Sequence, residues 1–372
     1  MKNQKLTQLR QRLDDIDEQI IALIAERQFN VEQIGNVKLD TKSPTRDFGR
    51  EKQVINHIRT VAEDKKLNPD IAQSIFELII ETSLSKQEVQ KVKSSGYGHN
   101  KKALIIGGNG KMGQWFAHFL QEQNFTVEIN DVEPLDNQHN FKADLTEIEL
   151  DHDFIIIATP IQKSVDILNQ LQQLKPSGIV MDISSIKTPL RRPLRALRDS
   201  GCRVVSIHPM FGPDIQLLSN KHVIFIDMGD GDALNSAKQL FQPTMVERID
   251  MKFEDHDRLI SYVLGLSHLL NIIFMTVLAE SGEAAELLAN LSSTTFDAQW
   301  NIAANVTHEN PDLYYEIQKL NQYSPTIINA LDDTINRLKQ ILHHNHQHAF
   351  VQLMQQAKEY LTIRTHPNNS QS

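Results

Sequence analysis

A short apolar run that ends in a glycine turn constrains the fold of this chain more than any other feature. Residues 102–106 read Lys-Ala-Leu-Ile-Ile, and the turn that follows carries Gly108, Gly110 and Gly113 in the spacing G-x-G-x-x-G. The spacing alone is a weak signal, but here it joins a predicted strand to a predicted helix. A second predicted strand, 125–131, ends on Asp131, about twenty residues beyond the turn. This context predicts a Rossmann domain that binds a dinucleotide.

The turn and the strand ends near it supply the residues that we expect to hold this cofactor. A helix N-terminus attracts the pyrophosphate, and glycines let the phosphates approach the backbone. Asp131 would accept hydrogen bonds from the adenosine ribose and would repel a 2′-phosphate, so NAD is favoured over NADP. The predicted cofactor-binding residues are Gly108, Asn109, Gly110, Lys111, Met112, Gly113, Asp131, Thr159 and Pro160.

Apolar runs continue to alternate with helical segments as far as residue 250. Strands are predicted at 153–160, 178–185, 203–207, 221–227 and 244–249. The continuous β-branched character of the first three predicts a parallel sheet covered by helices on both faces. Ligands of such sheets bind beyond the carboxyl ends of the strands. Ser185, Lys187 and His208 fall at those ends and are candidates for chemistry.

The N-terminal residues 1–92 require a separate explanation, because they precede the glycine turn. Apolar residues recur at three- and four-residue steps from Leu6 to Val37, which predicts one helix over about 5–40. A helix of that length spans roughly 54 Å and needs a partner, most simply the same helix of a second chain. Pro44 ends it, a second helix is predicted from about 48 to 63, and Asn68-Pro69 begins a third. The polar stretch 93–101 is a predicted linker.

Composition limits the classes of function. The chain has 372 residues, 40% of them hydrophobic, and a formal net charge of -9, which fits two or three domains and argues against nucleic acid as a partner. Cys202 is the only cysteine, so a disulfide framework and a cysteine-based zinc site are excluded. No metal site is predicted, since the histidines at 343–348 fit a solvated helix turn better.

Location follows from the absence of targeting signals. The N-terminus lacks the apolar region of a signal peptide, so the cytoplasm is the expected compartment. The uncharged run 259–279 is long enough to span a bilayer but contains Ser261, His268 and Asn271. Burial between subunits is the favoured interpretation, which predicts a homodimer and no membrane.

Residues 1–92 resemble the all-helical chorismate mutase family in the segments 9–17, 23–27, 35–38, 46–51 and 80–83, with Gln87. The resemblance implies an intertwined dimer that rearranges chorismate to prephenate in pockets built from both chains. Arg27, with Arg10 of the partner subunit, would hold the two carboxylates, and Ser83 would support one of them. The resemblance also assigns Lys38 and Gln87 to the ether oxygen, Glu51 to the substrate hydroxyl, and Asp47 and Arg50 to the pocket lining.

Residues from about 102 to 360 resemble prephenate dehydrogenase. The resemblance rests on the glycine turn, on Asp-Ile-Ser-Ser-Ile-Lys at 182–187 and on His-Pro-Met-Phe-Gly-Pro at 208–213. It implies oxidative decarboxylation of prephenate to 4-hydroxyphenylpyruvate with NAD. His208 would accept the proton of the ring hydroxyl, Ser185 would hydrogen-bond that hydroxyl or the histidine, and Lys187 would offer charge to a carboxylate. The family also places a histidine at the position of His268, near the substrate.

One feature departs from the dehydrogenase pattern. The family presents an arginine for a substrate carboxylate after the long C-terminal helix, but no arginine occurs here between Arg258 and Arg337. Lys187, Gln299 and Asn305 are candidate replacements, and an arginine from elsewhere in the fold is the other alternative. The residue that replaces the arginine is left open.

The expected fold is therefore multi-domain. It comprises an all-α chorismate-mutase-like module (1–92), a linker (93–101), an α/β Rossmann NAD-binding domain (102–250) and an all-α substrate and dimerisation domain (251–372). The order resembles that of bifunctional chorismate mutase–prephenate dehydrogenases, with tyrosine an expected effector. Two alternatives stay open: a dehydrogenase whose residues 1–92 only dimerise or sense a ligand, and an NAD-binding sensor without turnover.

Overall fold

The computed structural model describes residues 2–41, 43–134, 141–142 and 144–365. The chain divides into two compact units, which are Met1–Phe253 and Glu254–Ser372. The α-helices of the first unit are α1 (Lys2–Asp40), α2 (Phe48–Asp64), α3 (Pro69–Ser95), α4 (Lys111–Glu122), α5 (Ile161–Leu174), α6 (Arg191–Asp199) and α7 (Gly231–Leu240). Its strands are β1 (Lys102–Ile106), β2 (Thr126–Asn130), β3 (Phe141–Lys142), β4 (Phe154–Ile157), β5 (Ile179–Asp182), β6 (Arg203–Pro209), β7 (His222–Ile226) and β8 (Glu247–Met251).

Helix α8 (Phe253–Ile260) begins at the boundary of the units. The π-helical segment Ser261–Leu266 follows it, and then come the helices of the second unit, which are α9 (Ser267–Glu280), α10 (Ala285–Asn290), α11 (Thr294–His308), α12 (Pro311–Leu320), α13 (Ser324–His343) and α14 (Gln347–Thr365). Short 3₁₀ turns occupy Leu145–Glu147 and Thr188–Leu190.

The N-terminal helices begin where local capping predicts. Asp47 caps α2 by accepting the Arg50 N–H at 2.9 Å, and Asn68 caps α3 by accepting the Asp70 N–H at 2.8 Å. Apolar residues of α1, including Leu13 and Leu23, are more than half exposed in the single chain. This exposed stripe fits the prediction that α1 packs on a second chain.

The connection between the helices and the sheet is shorter than the predicted linker. Residues 93–95 continue α3, which stops at Gly96 in the left-handed conformation at φ 58°. The Tyr97 and Phe125 rings pack edge to face with their centroids 6.0 Å apart, and the Lys101 ammonium lies 3.6 Å from the centroid of the Tyr97 ring. Packing of Tyr97 therefore fixes α3 to the sheet domain.

The sheet has the order β3-β2-β1-β4-β5-β6-β7-β8, and its centre is buried on both faces. The strands from β1 to β6 pair in parallel, as the β-branched runs predict. β7, for which the sequence predicted a strand but no direction, runs antiparallel to β6. A parallel return needs a crossover helix, whereas residues 210–221 form only turns and irregular backbone.

The second unit is helical, as predicted for the C-terminal region. The helix from Phe253 to Glu280 is long and apolar enough to cross a membrane by length and composition, a test that buried helices of soluble proteins also pass. Helix α11 packs on α9, where the Phe274 and Phe296 rings lie 5.9 Å apart. Many apolar residues of α9 remain exposed in the single chain, among them Leu270 and Val277.

Candidate active sites

The helical module brings Arg27 and Ser83 into direct contact. Arg27 Nη1 donates to Ser83 Oγ at 2.7 Å, and that hydroxyl donates to the Ile79 carbonyl at 2.7 Å. Partial burial lowers the pKa of Arg27, although a guanidinium stays charged in proteins. The site therefore holds a fixed cation that is only partly hydrated, which is suited to a carboxylate.

Other predicted mutase residues lie on the same three helices. Lys38 Nζ donates to the Thr45 carbonyl at 2.7 Å. Gln87 is buried, and its Oε1 has no hydrogen-bond partner among the described residues. Arg10 and Arg50 are exposed. The unpaired Oε1 is an acceptor, so a donor such as a ligand hydroxyl would satisfy it, while the Nε2 group is the part of this amide that can donate to an ether oxygen.

Glu51, expected to accept from the substrate hydroxyl, already forms an ion pair with Arg46 in the structure. Arg46 Nε and Nη2 donate to Glu51 Oε1 and Oε2, each at 3.0 Å. Glu51 also lines a cavity of about 510 Å³ between α2 and α3, together with Ile55, Ile80 and Leu84. The carboxylate thus faces a cavity but is oriented by an arginine from its own domain.

The glycine turn has the geometry of a dinucleotide site. Asp131 Oδ2 accepts the Asn109 N–H at 2.9 Å, which ties the tip of the turn to the end of β2. Gly110 caps α4 without a side chain, so the helix N-terminus is open to a phosphate. A Cβ at Gly113 would overlap the Gly107 carbonyl, whereas one at Gly110 would lie 3.4 Å from that oxygen. Glycine is therefore needed at position 113 so that α4 can pack closely on the turn, and at position 110 so that a phosphate can reach the backbone N–H groups.

The remaining predicted cofactor residues border this turn. Lys111 and Met112 open α4, while Thr159 and Pro160 follow β4. A Cβ at Gly107 would lie 2.6 Å from Thr159 Cγ2, so the turn and the end of β4 are adjacent. Thr159 Oγ1 is 2.9 Å from Ser164 Oγ. These residues fit a dinucleotide across the ends of β1 and β4.

His208 lies inside β6, opposite Ile224 of β7, and is only 3% exposed. Ser185 is partly buried in the loop after β5, the strand that pairs with β6. The sheet therefore places both predicted dehydrogenase residues on neighbouring strands, at or beyond their carboxyl ends. The alternation of strands and helices in the sequence was enough to predict this placement.

Lys187 requires a correction. Its side chain is fully buried, and its Nζ donates to Asp182 Oδ2 at 2.6 Å and to the Ile207 carbonyl at 2.8 Å. The expected contact with a substrate carboxylate is replaced by an internal ion pair. Asp182, which belongs to the Asp-Ile-Ser-Ser-Ile-Lys motif but was assigned no role from the sequence, also accepts from Ser206 Oγ at 2.5 Å. An acid at the end of the apolar run 179–182, followed closely by a lysine, was the available signal.

The second unit contains its own polar cluster. The His268 ring lies 4.3 Å from the Tyr314 ring, and burial lowers the pKa of His268 to about 4. Gln299 Nε2 donates to Asn271 Oδ1 at 2.8 Å, and Asn271 is the buried residue of α9. Neutral amides thus occupy α9 and α11, where the sequence lacks the expected arginine.

Comparisons with known proteins cover both halves of the chain. Residues 9–88 match the model of type II chorismate mutase, 116–249 that of the prephenate dehydrogenase nucleotide-binding domain and 252–356 that of the prephenate dehydrogenase dimerisation domain. The T-protein of Enterobacter agglomerans is 24% identical over 348 residues, 93% of this chain and 90% of the relative. The T-protein of Haemophilus influenzae is 23% identical over 358 residues, 95% and 92% of the two chains.

A solved structure agrees with the fold. The prephenate dehydrogenase of Aquifex aeolicus, in complex with hydroxyphenyl propionate and NAD+, has a TM-score of 0.54 at 19% identity and covers 70% of this chain and 97% of its own. At that identity the likeness shows the fold alone.

Proposed function

The chain belongs to the bifunctional chorismate mutase–prephenate dehydrogenases, and from this we infer that it rearranges chorismate to prephenate and oxidises prephenate to 4-hydroxyphenylpyruvate in tyrosine biosynthesis. One observation carries the inference. The family matches for both activities follow one another in a single chain, and relatives of the same domain order align along nearly its whole length. NAD is the cofactor, consistent with the nucleotide-binding domain.

The mutase step needs positioning and charge rather than proton transfer. A pericyclic rearrangement proceeds when the substrate dianion is folded into its reactive conformer and negative charge on the ether oxygen is stabilised. Arg27, fixed by Ser83, binds one carboxylate in this proposal, and Arg10 of the partner subunit binds the other. Lys38 and Gln87 donate to the ether oxygen. The Lys38 ammonium has three donors, so it can donate to the ether oxygen while it keeps the Thr45 carbonyl.

The dehydrogenase step needs a base beside a hydride acceptor. NAD supplies that acceptor when bound at the glycine turn. His208 accepts the proton of the ring hydroxyl as carbon dioxide leaves, and Ser185 hydrogen-bonds the same hydroxyl or the histidine. Burial of His208 keeps bulk water from competing for that proton. Lys187 acts indirectly, since it donates to the carbonyl of Ile207, the residue before His208.

The assembly and its control are further parts of the proposal. The exposed apolar stripes of α1 and α9, together with the dimerisation-domain match, support a homodimer. His268 contributes to the prephenate site from the second unit. Tyrosine, which resembles the product, is the expected effector, and the cytoplasm is the expected location.

A direct assay tests the function. The full chain is supplied with chorismate alone, then with chorismate and NAD, and separately with prephenate and NAD. Prephenate should accumulate in the first case, and NADH with 4-hydroxyphenylpyruvate should form in the second. NADH formation from prephenate but no consumption of chorismate would favour the alternative in which residues 1–92 only dimerise or sense a ligand. Lack of turnover with either substrate would favour an NAD-binding sensor.

A further inference from the structure

Residues 217–220 of the dehydrogenase domain lie against the mutase helices. This segment follows β6 and the His-Pro-Met-Phe-Gly-Pro motif in the chain. Its Leu218 N–H donates to Glu88 of α3 at 2.8 Å, and the Met245 N–H donates to the same carboxylate. Glu88 is only 3% exposed, and burial raises its pKa even though both N–H groups favour the ionised form. The segment is therefore fixed to α3 by its backbone.

Arg46 makes the second attachment and uses both sides of its guanidinium. On one side Nε and Nη2 hold the two oxygens of Glu51, each at 3.0 Å. On the other side Nη1 donates to Ser219 Oγ at 2.5 Å and to Asn220 Oδ1 at 3.2 Å. The guanidinium carbon lies 4.3 Å from the centroid of the Phe48 ring. A planar, five-donor group in this position cannot turn without releasing one set of partners.

The cavity beside Glu51 is also completed by the dehydrogenase domain. Leu217, Ser219 and Asn220 form part of its wall, together with Glu51 and Arg46 of the mutase domain. The carboxylate assigned to the chorismate hydroxyl is thus held by an arginine whose own position depends on two residues of the other domain.

We propose that Arg46 is a positioning residue of the mutase site and that Ser219 and Asn220 of the dehydrogenase domain set its position. The proposal rests on the function proposed above, which assigns Glu51 to the mutase substrate. A bidentate arginine fixes a carboxylate in one plane, and a second anchor on the same guanidinium removes its remaining rotation. Loss of that anchor frees Arg46, and with it the orientation of Glu51.

The test uses the full-length chain with Ser219→Ala and Asn220→Gly, alone and combined, and measures both activities separately. Glycine replaces Asn220 because this residue has φ 62°, a left-handed conformation in which alanine would be strained. We expect the double variant to lose about three- to tenfold in mutase kcat/KM, the range for a partly exposed hydrogen bond to a charged group. If the substitutions only destabilised the protein, the thermal midpoint and both activities would fall together. The anchor instead predicts a mutase loss in a chain with wild-type midpoint.

A double-mutant cycle with Arg46→Gln separates an effect through Arg46 from a direct effect of the cavity wall. If Ser219 acts through Arg46, Ser219→Ala adds nothing in the Arg46→Gln background, and Arg46→Lys gives an intermediate mutase rate. Arg59→Gln is the matched control, because Arg59 lies on α2, the helix that carries Glu51, and is paired with Asp70 at 2.7 Å. It should leave both activities unchanged.

Two results would overturn the proposal: wild-type mutase kinetics in the Ser219→Ala, Asn220→Gly chain, or additive effects of Ser219→Ala and Arg46→Gln. A wild-type chain that dehydrogenates prephenate but never consumes chorismate would overturn the mutase assignment itself. The wild-type control therefore distinguishes failure of the proposed function from failure of the positioning role.

Discussion

The ammonium group of Lys187 lies 2.6 Å from the carboxylate of Asp182, and neither side chain has exposed surface. The same carboxylate accepts from Ser206, and the same ammonium donates to the Ile207 carbonyl. The pair therefore joins the loop after β5 to the strand that carries His208. Its place in the interior makes it a structural support for the histidine.

Removing one member of this pair should be far more damaging than neutralising both. Lys187→Met leaves a buried carboxylate without its cation, and we expect the free energy of unfolding to fall by about 3–5 kcal/mol. Asp182→Asn added to Lys187→Met removes the unpaired charge and should restore at least about 1 kcal/mol of that loss. Urea unfolding of the two variants checks this, and a double variant no more stable than Lys187→Met contradicts it.

How much of this site the sequence could predict depends on the range of the interaction. Capping at Asn68 and the strand ends that hold Ser185 and His208 follow from local pattern, so they were predictable. The Arg46–Ser219 contact joins residues 173 positions apart, and no local pattern encodes it. Lys187 was misjudged for a different reason. Its partner Asp182 is only five residues away, but whether the two form a buried pair depends on how deeply the loop after β5 packs beside β6.

Arg27→Ala should separate the two activities. Two charge-assisted hydrogen bonds to the substrate are lost, each worth roughly 1.5–3 kcal/mol, so mutase kcat/KM should fall at least about a hundredfold. Dehydrogenase turnover of supplied prephenate should stay within about twofold of wild type. The hydrogen bonds of Arg27 go to Ile79 and Ser83, which both belong to the helical module. Equal loss of both activities in a folded variant would show that the sites are not separate.

His208→Asn should slow the dehydrogenase without preventing ligand binding. A positioned general base contributes about 10²- to 10⁴-fold, and asparagine preserves polarity but cannot take the proton. Stopped-flow and equilibrium fluorescence would measure turnover and NAD affinity separately. His222→Asn is the control, since His222 lies on adjacent β7 and pairs with Glu247 at 2.8 Å at the surface. A near-wild-type rate in His208→Asn would remove this histidine from the mechanism.

Two glycines of the turn should fail in different ways. Alanine at Gly113 would press its Cβ into the Gly107 backbone, so Gly113→Ala should lower the thermal midpoint of the chain. Alanine at Gly110 meets nothing closer than 3.4 Å, so Gly110→Ala should fold normally and raise KM for NAD. Mutase activity is the internal control for Gly110→Ala. A wild-type NAD affinity in that variant would contradict the placement of the pyrophosphate at α4.

His268 should make the second unit sensitive to acid. Burial lowers its pKa to about 4, against an unperturbed value of 6.5, so the unfolded chain takes up a proton before the folded chain does. Stability from the neutral imidazole is complete above pH 6.5 and decreases as the pH falls towards 4. Because the ring is partly exposed, the loss over this window should be about 1–2 kcal/mol.

The charge-neutral variant His268→Gln isolates this effect. Urea unfolding of wild type and His268→Gln at about pH 7 and about pH 4.5 gives two differences in unfolding free energy. The variant loses the contact with Tyr314 at both pH values, so that packing cost cancels when the differences are subtracted. The remaining term should show wild type losing more stability than the variant on acidification. Parallel losses in the two proteins would mean that the imidazole titrates in the folded chain much as it does in the unfolded one.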